Sequence, residues 1–332
     1  MKGQVVLITG GASGIGAATA RALLAQGALP VLLDCDSANL AATAAALKGV
    51  DIFCLDVTDY AACQAAVSQT LAAHGRIDVV WANAGIASFG PLLLTDLDAF
   101  KRCIEVNVFG TLNIVRAALP VVVAQRGYVL ATASVSSFAH PPAVSSYAAS
   151  KAAIEAMCNC WRIELAAHGV DVGVIYASWV QTPLVTEGDL HPAFVRLKST
   201  MPAALRRAIP AAAAAEMIVK GMAHRQRRIW VPGWVRLLYL LRVVLVKLVN
   251  EPLADVTCGS CAMLHLIWKR CFYKPSPPAV LKHRQLHHGS WRGATASQGN
   301  FNLLRIQELL APVFVGPQRY LLMKHTSWAA SA

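Results

Sequence analysis

Tyr147 and Lys151 stand four residues apart in the stretch SSYAASKAA at 145–153. On a helix that spacing puts two side chains on one face, so both can enter a single pocket. Tyrosine, with a free pKa of about 10, is a poor base at neutral pH. A neighbouring ammonium favours the phenolate and would bring a proton-transfer role within reach. The same spacing also occurs on ordinary polar helix surfaces, so the pair gains meaning only from chemistry elsewhere in the chain.

That chemistry begins at LITGGASGIGAATARALL, where Thr9, Gly10, Gly14 and Gly16 follow the spacing T-G-x-x-x-G-x-G between a β-branched run and an Ala/Leu-rich helix. Missing side chains let backbone amides approach a pyrophosphate, and the helix N-terminus adds partial positive charge. Ser13 and Ile15 lie inside the same loop and count among its candidate cofactor contacts. The next apolar run ends VLLDCD, and Asp34 there can accept hydrogen bonds from both hydroxyls of an adenosine ribose while repelling a 2′-phosphate. Cys35 follows it, so no arginine at that position offers a phosphate partner, and NAD is expected in preference to NADP. Asp36 is placed to cap the Ala-rich helix after it.

These groups need a frame. Short aliphatic runs at Val5–Thr9, Val31–Asp34, Asp51–Leu55, Ile77–Trp81, Tyr128–Ala133, Val172–Tyr176 and Arg228–Val231 read as strands. They alternate with helical segments that include Ile15–Gln26, Tyr60–Ala73, Ala99–Val123 and Ser146–Ala167. Strands buried on both faces, each followed by a helix, predict an α/β fold: a Rossmann-type, doubly wound parallel sheet of seven strands flanked by helices.

In order along the chain stand Thr9-Gly10-x3-Gly14-x-Gly16, Asn83-Ala84-Gly85, Asn107, Ser134 and Tyr147-x3-Lys151, with Ser134 thirteen residues before Tyr147. This set resembles the short-chain dehydrogenase/reductase family over residues 3 to 232. The resemblance implies an oxidoreductase that exchanges a hydride between an alcohol or carbonyl carbon and a nicotinamide cofactor. It implies that Tyr147 is the acid/base, and that Lys151 binds the nicotinamide ribose and lowers the tyrosine pKa. Ser134 would bond the substrate oxygen, with Ser136 and Ser137 as rivals, and Asn107 would hold a water on a proton path. Asp56 would accept the adenine amine beside Val57, Asn83-Ala84-Gly85 would form the loop under the adenosine, and Thr182 would contact the cofactor amide. Two departures from the family pattern are Ala82, where a first asparagine is usual, and Ala177-Ser178, where Pro-Gly usually follows strand six.

Residues 185–209 fall where this family builds a substrate lid, and Phe194, Leu197, Met201 and Leu205 recur there at helical intervals. The apolar face they would form suits either helix packing or a greasy substrate. With Trp179, few charges near the inferred site and the basic apolar helix after Pro232, it points to a lipophilic alcohol or ketone such as a steroid, retinoid or fatty compound. The resemblance also suggests a homodimer or homotetramer built through the long helices at 99–123 and 146–167. Residues 233–250 read as a basic amphipathic helix, either packed on the body or lying on an anionic membrane, and 251–332 as a poorly ordered extension. Charge is unevenly spread, with 10 Lys/Arg against 14 Asp/Glu up to residue 190 and 20 against 4 beyond it. In a leucine-rich context the excess favours lipid over nucleic acid, and no nucleic-acid partner is expected. Nine scattered cysteines and the absence of an apolar leader suggest a reducing, cytoplasmic setting with peripheral membrane contact. The CxxC at Cys258 and Cys261 lacks a second ligand pair, so no metal site is expected.

Overall fold

The structure, a computed structural model, describes residues 1–188, 195, 198–199 and 206–243. The predicted lid residues Phe194, Leu197, Met201 and Leu205 lie outside these, as do residues 244–332.

Seven strands, β1 Val5–Thr9, β2 Leu29–Asp34, β3 Asp51–Cys54, β4 Val79–Ala82, β5 Tyr128–Ser134, β6 Asp171–Ala177 and β7 Arg228–Val231, form one sheet. All pairings are parallel, in the order β3-β2-β1-β4-β5-β6-β7. The chain reverses its direction of travel across the sheet between β1 and β4. At such a switch point the connections leave on opposite faces, and a crevice opens at the strands' C-terminal ends.

The described helices are α1 Gly14–Ala25, α2 Ser37–Leu47, α3 Tyr60–His74, α4 Leu97–Ile104, α5 Gly110–Ala124, α6 Ser145–Glu164, α7 Pro183–Gly188, α8 Ala211–Ala223 and α9 Val235–Leu240. Because side chains alternate along a strand, the inner strands feed two cores. Val5 and Leu7 face the core under α3, α5 and α6, while Val6 and Ile8 face the one under α1, α2 and α8. That two-sided burial explains the near-continuous apolar runs in the sequence.

Two elements differ from the sequence reading for local reasons. The helix expected over 99–123 is α4 and α5 joined by a π turn at Glu105–Phe109. Gly110, which opens α5, lets the backbone pack closely there, since a Cβ would come within 2.4 Å of the Val57 side chain. The helix expected to Ala167 ends at Glu164, followed by a 3-10 turn and Gly169 in the left-handed region (φ 69°). Between β2 and β3 lies α2, and Asp36 does cap it, accepting the Asn39 N–H at 3.0 Å.

The basic segment after Pro232 packs one face on the body. Val235 is fully buried, and Trp234, Leu238 and Tyr239 rest on the α5–α6 core. The Tyr239 hydroxyl donates to Glu155 Oε1 at 3.1 Å, and Arg242 pairs with the same oxygen at 3.6 Å while lying 4.3 Å from the Tyr239 ring centroid. Phe138 meets that ring edge-on at 5.2 Å. Leu237, Leu240 and Val243 face outward, 60%, 68% and 76% exposed. Tyr239→Ala is expected to lower the unfolding free energy by about 3 kcal/mol in urea denaturation, whereas Leu237→Ser leaves it within about 0.5 kcal/mol.

Candidate active site

The glycine loop is built by exclusion of side chains. Gly10 and Gly14 adopt φ of +67° and +54°, which disfavours any residue with a Cβ. At Gly16 the requirement is spatial, because a Cβ there would lie 2.0 Å from the Gly10 carbonyl oxygen. Gly14 lies against the Thr182 methyl, its would-be Cβ 3.1 Å away, so the segment carrying Thr182 borders the loop. Ser13 is exposed and its hydroxyl makes no cap bond, and Ile15 is half-buried beside it.

Asp34 does more than the sequence indicates. Its Oδ2 accepts the Ala12 N–H at 3.0 Å and its Oδ1 the Asp36 N–H at 3.1 Å, tying the tip of β2 to the loop. A carboxylate offers roughly four acceptor positions, so capacity remains for ribose hydroxyls. Asn83 braces the loop from below. Its side-chain amide donates to the carbonyls of Thr9 and Gly10 at 3.1 and 3.2 Å and accepts from Thr132 Oγ1 at 3.2 Å. Thr132 Oγ1 in turn accepts the Trp81 indole N–H at 2.9 Å. The backbone N–H groups of Asn83 and Ala84 donate to Thr9 Oγ1. Ala82, in place of the usual asparagine, is simply buried in the sheet core.

At the other end of the crevice Asn107, Ser134, Tyr147 and Lys151 converge, although 44 residues separate the first from the last. Lys151 is buried and its ammonium donates to the Thr132 carbonyl at 2.8 Å, with the Tyr147 ring centroid 5.5 Å away. A side-chain hydrogen bond links Tyr147 to Ser134. Ser134 Oγ also accepts the Ser136 N–H at 3.1 Å and lies 3.3 Å from the Ala177 carbonyl. Its rival Ser137 is committed elsewhere, bonding the Lys151 carbonyl at 3.0 Å and receiving the Ser134 N–H at 3.3 Å. Asn107, in the π turn, accepts the Ile86 N–H at 2.8 Å and donates to the Ile86 carbonyl and to Ser150 Oγ at 2.9 and 2.8 Å. Gly85 leaves a gap in front of both groups: a Cβ there would sit 3.1 Å from Asn107 Oδ1 and 3.2 Å from Lys151 Nζ.

Burial acts on the pair in opposite senses. It pushes the Tyr147 phenol up to about 12, against the Ser134 hydrogen bond that pulls it down, and the Lys151 ammonium down to about 8. Burial therefore favours the neutral form of each group in the protein alone.

Asp56 is engaged by Arg102, a partner no motif marks, and by the N–H and hydroxyl of Thr58 at 2.9 and 2.8 Å. Burial works to raise its pKa, but these bonds outweigh it and hold the carboxyl below its usual value. Val57 beside it is buried. The turn at Ala177-Ser178 is held without Pro-Gly. Ser178 N–H donates to the Val231 carbonyl at 2.8 Å, and Ile209 exchanges backbone bonds with Trp179 and Gln181 at 3.0 and 2.9 Å.

This geometry agrees with the comparisons. The short chain dehydrogenase family model matches residues 4–191. The chain is 33% identical over 189 residues to 3-oxoacyl-(acyl-carrier-protein) reductase FabG of Thermotoga maritima, covering 55% of this chain and 77% of that protein. It is 37% identical over 200 residues to rat (Rattus norvegicus) 3-hydroxyacyl-CoA dehydrogenase type-2, covering 56% and 77%. Among solved structures, the 3-ketoacyl-(acyl-carrier-protein) reductase of Brucella melitensis complexed with NADH superposes with a TM-score of 0.63 at 25% identity, over 69% of this chain and 97% of that one. A short-chain dehydrogenase/reductase of Burkholderia phymatum in complex with NAD gives 0.64 at 25%, over 73% and 95%.

The chain belongs to the short-chain dehydrogenase/reductase family. It is an NAD(P)-dependent enzyme of the class acting on CH–OH groups, and its glycine cradle, in which a Cβ has no room, fits a nicotinamide dinucleotide. Gly16→Ala is expected to abolish quenching or enhancement of NADH fluorescence on titration, because the added methyl displaces the Gly10 carbonyl from the loop.

Proposed function

We propose that the chain is an NAD-dependent oxidoreductase interconverting a secondary alcohol and a ketone on a lipophilic substrate such as a steroid, retinoid or fatty compound. The observation that carries this reading is the buried convergence of Ser134, Tyr147, Lys151 and Asn107 beside the dinucleotide loop. When bound, the dinucleotide supplies the hydride acceptor or donor. Tyr147 gives its phenolic proton to the carbonyl oxygen in reduction and, as the phenolate, takes the hydroxyl proton in oxidation. Ser134, already bonded to that phenol, holds the substrate oxygen next to it. Lys151 binds the ribose, and a water in the gap before Gly85 would be held by Lys151 Nζ and Asn107 Oδ1 together.

Asp34, with acceptor positions unspent and Cys35 after it, favours NAD over NADP. Ser13, Ile15, Thr182 and the Asn83–Gly85 loop complete the cofactor contacts. For the substrate, burial is the first influence on both Tyr147 and Lys151, which suits an apolar reactant. Two of the relatives are named for acyl substrates. Assembly as a homodimer or homotetramer fits the exposed Phe109, Leu112 and Ile163 on the π turn, α5 and α6.

A second property, peripheral contact with anionic membrane from the cytoplasmic side, is favoured by the outward Leu237, Leu240 and Val243 beside Arg236. Wild-type protein is expected to float with anionic liposomes and a triple serine variant at those three positions to remain in the pellet fraction. Wild type that fails to float removes this part of the reading.

For the chemistry, NADH formation is expected with a panel of hydrophobic secondary alcohols, with NADP giving slower turnover. Tyr147→Phe should lower it by at least about 100-fold while NADH still binds. Because oxidation needs the deprotonated phenol, its rate should rise between pH 7 and 9 as reduction stays level or falls. Wild type and Tyr147→Phe equally inert, with both binding NADH, would defeat the assignment.

A further inference from the structure

Arg102 lies in the last turn of α4, a helix whose start is fixed by Asp96 Oδ1 accepting the N–H groups of Asp98 and Ala99 at 2.8 and 3.1 Å. From there its guanidinium reaches back 46 residues to Asp56 Oδ2, touches Thr58 Oγ1 at 3.3 Å and pairs with Glu105 Oε2 at 3.8 Å. It also opposes Asp34 and Asp56 in their effect on the Cys35 thiol, which burial raises first, so the cation sits by the residue that follows Asp34. The side chains of Arg102 and Asp56 are 44% and 38% exposed, and an ion pair so open to water adds little to stability. Its effect must be geometric.

Asp56 Oδ1 already takes two hydrogen bonds and Oδ2 one. Of roughly four acceptor positions on a carboxylate, one remains, on Oδ2, and its direction is set by Arg102. An ionised carboxylate can only accept, so that position welcomes an amino hydrogen and repels a carbonyl oxygen. We propose that Arg102 is a positioning residue for base recognition, aiming the one free lone pair of Asp56 at a purine 6-amino group. This rests on the reading that Asp56 faces the adenine, and it adds the residue that makes the carboxylate selective.

The test titrates the full-length protein with NADH and with reduced nicotinamide hypoxanthine dinucleotide, whose 6-position is a carbonyl, following dihydronicotinamide fluorescence. Wild type should bind NADH about 10-fold more tightly, as expected for one charge-assisted hydrogen bond exchanged for a repulsion. Arg102→Met should cut that ratio to about 3-fold or less, mainly by weakening NADH, with an unchanged urea midpoint, and Arg102→Lys should recover part of it. Asp56→Asn, whose amide can also donate, should remove the preference. If Asp56→Asn alters the ratio while Arg102→Met keeps the wild-type value, the role of Arg102 is overturned and Asp56 still reads the base. If wild type shows no preference, or Asp56→Asn leaves it unchanged, the placement of the adenine at Asp56 fails and the proposal with it.

Discussion

Thr132 joins the two ends of the crevice. Its carbonyl receives the Lys151 ammonium, and its hydroxyl stands between the Trp81 indole and the Asn83 amide, whose other side supports the carbonyls of Thr9 and Gly10. A buried polar group must be satisfied or it costs stability. Along this chain each member is satisfied by the next, from the sheet interior to the glycine loop in one direction and to the lysine in the other. Such a network gives rigidity as well as energy. The switch point between the neighbouring strands β1 and β4 opens the crevice, and Thr132 fixes the two walls relative to each other.

The same burial that fixes Lys151 sets the chemical state of the pair. Removing both groups from water favours the neutral forms, and the separation of about 8 for the lysine and about 12 for the tyrosine follows from desolvation. Burial thus favours a protonated phenol, the form that donates the proton in the proposed reduction. In the proposed oxidation the phenolate needs further stabilisation, and the Ser134 hydrogen bond acts in that direction by pulling the phenol pKa down.

Much of the fold was legible because a sheet buried on both faces writes unbroken apolar runs, and all seven strands fall within two residues of their expected bounds. The glycine loop was legible because backbone conformation and close approach leave no residue but glycine at Gly10, Gly14 and Gly16. What the sequence could not show were the contacts made by common residues over long separations. Nothing in the surroundings of Thr132 or Arg102 distinguishes them from any strand threonine or helix arginine. No motif marks the π turn that carries Asn107, and the bonds Asn107 makes to Ile86 and Ser150 are tertiary. Ala177-Ser178 lacks a stiff dipeptide, yet Val231 and Ile209 hold that turn from neighbouring chain.

Thr132→Val keeps the backbone carbonyl and nearly the shape of the side chain while deleting the hydroxyl, so it tests the link between loop and lysine most directly. NADH affinity measured by fluorescence titration, together with alcohol oxidation by the same preparation, should fall by about 10-fold each, the cost of leaving a buried donor and acceptor unpaired. A folded Thr132→Val protein with wild-type affinity and rate would contradict the dependence of the site on that hydrogen-bond chain.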